Sequence, residues 1–223
     1  MESFVTSHDL QGALASLPII QSSGVTLSNG SLQSLIDFIA KDPETLDSAR
    51  ELVQTMHAEN PASVNASALN AILAASAASR DFVRCRAIYA AFADLSIAPN
   101  VETFHHMLDC AVADEQADAG AVILTDMHEA NVQPDANIFT QMIKLSLLQT
   151  EYDSAFYYLE EMQAAGHTPP AHAFLAIAHK CSSMADDRYL IVLQDMRDHG
   201  HTVTDRFEES CRTRFAKATL KQA

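Results

Sequence analysis

The segments AFADLSIAPN (residues 91–100), TDMHEANVQPD (125–135) and EEMQAAGHTPP (160–170) indicate the fold of this chain, because they repeat one pattern. Their prolines recur at steps of 35 residues, at Pro99, Pro134 and Pro169, and an apolar residue stands seven positions before each one. A period of this length is typical of solenoids, in which stacked helical hairpins bury a continuous core. The period therefore predicts an all-α solenoid of 35-residue helix-turn-helix repeats.

Each repeat is predicted to contain two helices whose apolar residues are spaced by three and four positions, which places them on one helical face. In the second helices this buried face is expected to include Ala87 and Ile191. Gly166 and Gly200, with Asn131 at the equivalent place, are expected to end second helices, because these residues tolerate a left-handed backbone.

The register divides the chain into seven segments. They are a partial N-terminal repeat with a second helix only (1–28), a degenerate repeat (29–65), three full repeats (66–100, 101–135 and 136–170), a shortened repeat (171–204), and a C-terminal capping helix and tail (205–223). In the partial repeat, Pro18 is expected to bend the helix and Gly24 to end it. Half a repeat exposes an apolar face, so we expect an upstream segment or a partner to cover it.

Composition limits the classes of function. The net charge is -15, whereas nucleic-acid-binding proteins usually present a basic surface. No apolar run reaches the roughly 18 residues of a membrane span, and the N-terminus shows neither a secretory nor a transit pattern. The cysteines Cys85, Cys110, Cys181 and Cys211 lack the spacing of metal ligands. We expect them to pack in the core as free thiols in a reducing compartment.

Catalytic and metal-binding motifs are not visible in the sequence. His105 and His106 are adjacent, and His172 and His179 are two helical turns apart, so neither pair has the i, i+4 spacing of a helical zinc site. We find no nucleophile elbow or phosphate-binding glycine loop. The prediction is a protein that is not an enzyme and has no cofactor, no metal and no small-molecule substrate.

The repeats resemble pentatricopeptide repeats. The likeness rests on the 35-residue length, on the EEM, Gly and Pro ending of the second helix, and on the aromatic residue near the start of the first helix. It covers about residues 9–204 and is strongest over 66–170. The resemblance implies a right-handed superhelical solenoid and a mitochondrial location, with a plastid as the other option. It also implies single-stranded RNA in a concave groove, read at one base per repeat.

In this family the fifth and the last residue of each repeat contact a base edge, and the second packs on the base face. The resemblance therefore implies base contacts by Asn70, Asn100, His105, Asp135 and Thr140. If the chain binds RNA, we expect its basic side chains to contact the phosphates; these are Arg80, Arg84, Arg86, Arg212, Arg214 and Lys217.

Other groove positions depart from the family pattern. Pro170 and Leu175 stand at base-reading positions but have no side-chain hydrogen-bonding group, and Glu102 would bring a carboxylate toward RNA. Residues 101–135 contain eight acids and no Lys or Arg, so repulsion of phosphates is expected there. Leu147 and Leu148 could instead form an apolar contact surface in the groove, or pack against the next repeat.

These features predict a helical-repeat scaffold that serves as an RNA-associated adaptor or subunit of a mitochondrial ribonucleoprotein, with protein partners in a larger complex. Two alternatives stay open. One is a purely structural protein-protein interaction subunit, and the other is a fragment of a longer organellar RNA-processing factor.

Overall fold

The structure is a computed structural model, and it describes residues 9–22 and 29–222. Within them the chain forms twelve α-helices and one 3-10 turn, Pro61–Ser63. The helices are α1 (Leu10–Ser22), α2 (Asn29–Ile39), α3 (Pro43–Glu59), α4 (Ala66–Ala78), α5 (Phe82–Asp94), α6 (Val101–Ala113), α7 (Ala119–Glu129), α8 (Ala136–Leu148), α9 (Asp153–Ala164), α10 (Ala171–Ser183), α11 (Tyr189–Asp198) and α12 (Asp205–Gln222). The described residues contain no strand.

The chain divides into two compact units, Met1–Gln133 and Pro134–Ala223, called unit 1 and unit 2 below. In unit 1, α4 packs against α2, α5 and α6. In unit 2, α10 packs against α8, α11 and α12. The boundary between the units falls inside the segment 101–135, just before α8, and the division into repeats stays a prediction.

The first helices α4, α6, α8 and α10 begin at Ala66, Val101, Ala136 and Ala171, at steps of 35 residues. The residue before each start is the N-cap. Where that residue is Asn or Asp, its side chain accepts hydrogen bonds from the first free backbone N–H groups, as Asn65 does from Ala68 N at 3.2 Å. Local chemistry thus fixes where these helices start.

Left-handed residues follow several of the helices. Asn131, Gly166 and Gly200 have φ angles of 56°, 82° and 80°, which confirms the predicted stops. Arg80, at φ 54°, was not predicted to be left-handed. It follows α4, where Asp81 N donates to Ser76 O at 3.0 Å in the bonding pattern of a Schellman cap. Gly24 lies outside the described residues, and Pro18 lies inside α1.

The core of each unit is aliphatic and aromatic. In unit 2, Phe174 and Ile177 of α10 are buried against neighbouring helices. The four cysteines are free and buried, as predicted. The predicted burial of Ala87 and Ile191 is wrong. Both are exposed, Ile191 by 68%, because the next residue in each helix turns into the core instead.

The fold class is an all-α solenoid of helical hairpins, as the period predicted. None of the described helices is both long enough and apolar enough to cross a membrane.

Candidate nucleic-acid interface

The fifth residue of α4, Asn70, is the first predicted base-reading residue, and it is 2% exposed. Its Nδ2 donates to Asn100 Oδ1 at 3.1 Å and to Glu102 Oε2 at 3.0 Å. Its Oδ1 accepts from Thr103 Oγ1 at 2.8 Å. Both amide hydrogens and the carbonyl oxygen are therefore engaged inside unit 1, and the side chain bridges α4 to the start of α6.

Asn100, which is predicted to read a base together with Asn70, is the N-cap of α6. Its Oδ1 accepts from Thr103 N at 3.0 Å, and Thr103 Oγ1 accepts from Asn100 N at 3.0 Å, which completes a capping box. Thr103 is 0% exposed. We name the four residues Asn70, Asn100, Glu102 and Thr103 the asparagine network. It uses polar groups at the predicted base-facing positions to join two helices of the chain.

Glu102 is half-buried, and it also faces His106, whose Nε2 lies 3.9 Å from Glu102 Oε1. Hydrogen bonding by His106 and then by Asn70 holds the pKa of Glu102 below its usual range, although burial opposes the shift. The carboxylate therefore stays charged beside the predicted base-reading residue Asn70. His105 is partly buried on α6, next to His106.

In unit 2 the predicted base-reading residues are arranged differently. Asp135 caps α8, and its Oδ1 accepts from Asn137 N at 3.0 Å and Ile138 N at 2.9 Å. Thr140 is buried, and its hydroxyl donates to Ala136 O one turn back at 2.8 Å. Pro170 caps α10 without a side-chain bond, and Leu175 packs against the core of unit 2.

The predicted phosphate contacts Arg84 and Arg86 are held in ion pairs. Arg84 donates from Nε and Nη2 to the two oxygens of Asp47 at 3.0 Å each, and its other terminal nitrogen pairs with Asp81. Arg86 pairs with Asp126 and lies over the ring of Tyr89. Arg84 thus ties α3 to α5, and Arg86 ties α5 to α7. Arg80 is exposed at the left-handed end of α4.

In unit 2, Arg188 makes the same kind of link, and the sequence did not reveal it. Arg188 donates to Asp153 Oδ1 at 2.7 Å and to Asp186 Oδ2 at 2.8 Å, and lies 4.5 Å from the ring centre of Phe156. Tyr152 donates to the same Asp186 oxygen at 2.6 Å. Burial alone would raise the pKa of Asp186, but these hydrogen bonds outweigh it and hold the pKa at about 2.

The predicted phosphate contacts on α12 have different surroundings. Arg212 is exposed and faces Glu208 and Glu209, its own neighbours on the helix. Arg214 donates from Nη2 to Ser210 Oγ at 3.1 Å, and Lys217 is exposed. Among the described residues, neither of these two forms an ion pair. They border a cavity that also includes Lys221.

Leu147 and Leu148, at the end of α8, have different surroundings. Leu147 packs against the core of unit 2, whereas Leu148 is 42% exposed. Across residues 9–22 and 29–222 no group of three or more His, Cys, Asp or Glu side chains is placed to hold a metal ion.

Comparison with known proteins places these observations in a family. A family model described as pentatricopeptide repeat-containing protein matches residues 1–92, and a pentatricopeptide repeat domain model matches residues 122–183. Together the two matches span more than half of the chain. The chain belongs to the pentatricopeptide repeat family, as the period and the helix endings predicted.

Solved structures share the fold. The pentatricopeptide repeat protein PPR10 from maize aligns with a TM-score of 0.66 at 19% identity over 97% of this chain and 31% of that one. PPR10 in complex with an 18-nt psaJ RNA element aligns with a TM-score of 0.57 at 19% identity, over 96% of this chain and 33% of that one. This chain therefore spans about a third of the length of PPR10.

The PPR domain of Arabidopsis thaliana protein-only RNase P 1, solved in complex with tRNA, aligns with a TM-score of 0.63 at 17% identity. The alignment covers 82% of this chain and 95% of that domain. A search of curated protein sequences found no match. At these identities the likeness concerns the fold.

Proposed function

We propose that this protein is a helical-repeat scaffold without enzymatic activity, which serves as an RNA-associated adaptor in a mitochondrial ribonucleoprotein. Protein contacts supply most of its binding, and its RNA contacts do not discriminate between bases. Membership of the pentatricopeptide repeat family supports association with RNA and an organellar site. The net charge of -15 would repel RNA phosphates, which supports a role in which the chain does not hold RNA alone.

The asparagine network is the observation that carries this proposal. A residue reads a base only if its donors and acceptors are free to face the base edge. Asn70 has its amide hydrogens committed to Asn100 and Glu102, and Asn100 uses its oxygen as a helix cap. Opening these bonds to admit a base would leave buried polar groups without partners, at about 1–3 kcal/mol for each group.

Of the three predicted phosphate contacts in unit 1, only Arg80 is placed to meet RNA. Arg84 and Arg86 are fixed by Asp47, Asp81 and Asp126, so they are poorly placed to bind phosphate. Arg80 is exposed, and the contacts at His105, Asp135 and Thr140 stay predictions.

Purification of the tagged full chain from the cells that express it tests the proposal. We expect specific proteins and RNA to co-purify at low salt, and nuclease treatment to remove the RNA while the proteins remain. Loss of the protein partners on nuclease treatment would identify a direct RNA reader instead. Absence of RNA from a complex isolated at low salt would contradict RNA association.

A purely structural subunit is the second candidate, and the outer surfaces of the second helices favour it. Val83 on α5 is 81% exposed, and Leu190 and Ile191 on α11 are 52% and 68% exposed. Exposed apolar side chains such as the adjacent Leu190 and Ile191 are typical of protein contacts. This candidate predicts the same protein partners with no RNA before nuclease treatment.

A further inference from the structure

The C-terminal half of α12 is the most basic part of the chain. From Ser210 to the end of the described helix it contains Arg212, Arg214, Lys217 and Lys221 and no acid, whereas the whole chain has a net charge of -15. Arg214, Lys217 and Lys221 are spaced by three and four residues, so they share one face of the helix. This face therefore presents positive charge that the neighbouring sequence does not neutralise.

The basic face borders a cavity of about 310 Å³. We call it the α12 cavity, and six residues line it: Ser183, Met184, Arg214, Lys217, Ala218 and Lys221. All six belong to unit 2, and none is acidic. Met184, at the end of α10, is 38% exposed.

Arg214 has a buried donor without a partner. Its Nη1 is buried and makes no hydrogen bond within the described part of the chain, while Nη2 donates to the uncharged Ser210 Oγ. A buried charged donor is costly unless an acceptor reaches it, and an oxyanion is its best partner. Burial, and then the charge of Arg214, lower the pKa of His179 on α10, so the guanidinium acts beyond its own helix.

The other residues that line the cavity indicate which kind of molecule carries the bound anion. Met184, Ala218 and the hydrocarbon stems of the two lysines supply apolar surface. Sites for single-stranded nucleic acid usually add aromatic side chains on which bases stack, and no aromatic residue lines this cavity. Aliphatic surface beside cations suits a protein segment that combines Leu-like side chains with carboxylates.

We propose that the α12 cavity docks an acidic segment of a protein partner, with an aliphatic side chain against Met184 and Ala218 and carboxylates on Arg214, Lys217 and Lys221. This inference rests on the proposed function, since it assigns a surface and a chemistry to one of the protein contacts of the adaptor. The docked carboxylates lie at the exposed Lys217 and Lys221 and offset the charge of the partly buried Arg214.

Fluorescence anisotropy with a labelled 12-residue peptide tests the assignment on the full chain. The peptide has Leu at every third or fourth position and Glu elsewhere, and its control has Gln in place of Glu. We expect the acidic peptide to bind and the Gln peptide to bind at least about tenfold more weakly. We also expect Lys217→Glu with Lys221→Glu to lower the affinity for the acidic peptide at least about tenfold.

Lys41→Glu with Lys144→Glu is the matched control, because it makes the same change in net charge at two exposed lysines outside the cavity. It should change the affinity by less than about twofold. Arg214→Lys keeps the charge but removes the planar fork, and it should weaken binding about three- to fivefold without loss of helical content. Circular dichroism checks the fold of each variant.

Failure of the acidic peptide to bind, or equal loss of affinity in the cavity and control variants, overturns the proposal. A 12-nt oligouridine that binds in place of the peptide, and is lost with Lys217→Glu and Lys221→Glu, also overturns it and assigns the cavity to RNA. These outcomes are independent of the co-purification test. If protein partners stay bound after nuclease treatment, and bind the cavity variant as well as the wild type, the adaptor function stands. The proposed docking site is then wrong.

Discussion

Two helix junctions that are equivalent in the repeat use their polar residues in different ways. In unit 1, between α4 and α6, Asn70 joins Asn100, Glu102 and Thr103 in a buried network. In unit 2, between α8 and α10, the Thr140 hydroxyl bonds only its own helix, and Pro170 offers no side-chain group. At both junctions the predicted base-reading positions thus have no free hydrogen-bonding group. Only the first junction uses its polar side chains to hold two helices together.

The two arrangements are expected to contribute differently to the free energy of unfolding. Where polar groups satisfy one another across two helices, removal of one leaves the others unpaired. Where a hydroxyl bonds the preceding turn of its own helix, removal costs little, because such a bond does not link separate elements. Paired substitutions at the two junctions test this difference.

The largest effect is expected for Asn70→Leu. The substitution removes the shared partner of Asn100, Glu102 and Thr103 and leaves their polar groups buried or half-buried beside an apolar side chain. We expect a loss of about 2–3 kcal/mol in the free energy of unfolding. Urea unfolding followed by circular dichroism measures it, and a loss below about 0.5 kcal/mol would show that the network does not join the helices.

An intermediate effect is expected at the hairpin turn of unit 2, where Asp186 binds Arg188 and Tyr152. The pKa of Asp186 is about 2 in the folded protein, below its ordinary value of 3.8. A lowered folded pKa contributes stability that is present above pH 4 and is lost as the pH falls toward 2. Asp186→Asn should therefore reduce stability by about 1–2 kcal/mol at pH 7.

The pH dependence separates this effect from a packing change. The difference in unfolding free energy between the wild type and Asp186→Asn should shrink as the pH is lowered from 7 to 3, because Asp186 of the unfolded chain, with an ordinary pKa, takes up a proton while the folded protein still holds the carboxylate ionised. A difference that does not vary with pH would argue against the ion pair with Arg188. Asp187→Asn is the control, because Asp187 is exposed and adjacent.

The smallest effect is expected for Thr140→Val at the second junction. Valine keeps the branched shape and removes only the hydroxyl that donates to Ala136 O. The change in unfolding free energy should stay within about 0.5–1 kcal/mol in either direction. A loss as large as that of Asn70→Leu would remove the contrast between the two junctions.

Much of the fold was predictable because its signals are local. The prolines, the Asn and Asp caps and the left-handed Gly166 and Gly200 act within a few residues of sequence, so the period located the helix ends. Left-handed Arg80 was not predictable from residue type, because Arg rarely adopts this conformation and does so here after an Ala-rich helix that closes with a Schellman pattern.

The candidate site was less predictable, because its chemistry depends on contacts between distant residues. Asn70 and Asn100 stand at base-reading positions, but their mutual hydrogen bond spans 30 residues of sequence and follows only from the packing of α4 on α6. Arg84 and Arg188 reach carboxylates 37 and 35 residues away. Residue type alone marks such arginines as phosphate ligands, whereas their surroundings show that they are structural.

Base preference is the most direct test of the account. The affinities of the purified full chain for 12-nt homopolymers of U, C and A at 50 mM salt should agree within about threefold, because the Asn70 and Asn100 side chains are engaged inside the chain. A preference above about tenfold that Asn70→Ser redirects to another base would contradict the account, since it would show that the asparagine network opens to read RNA.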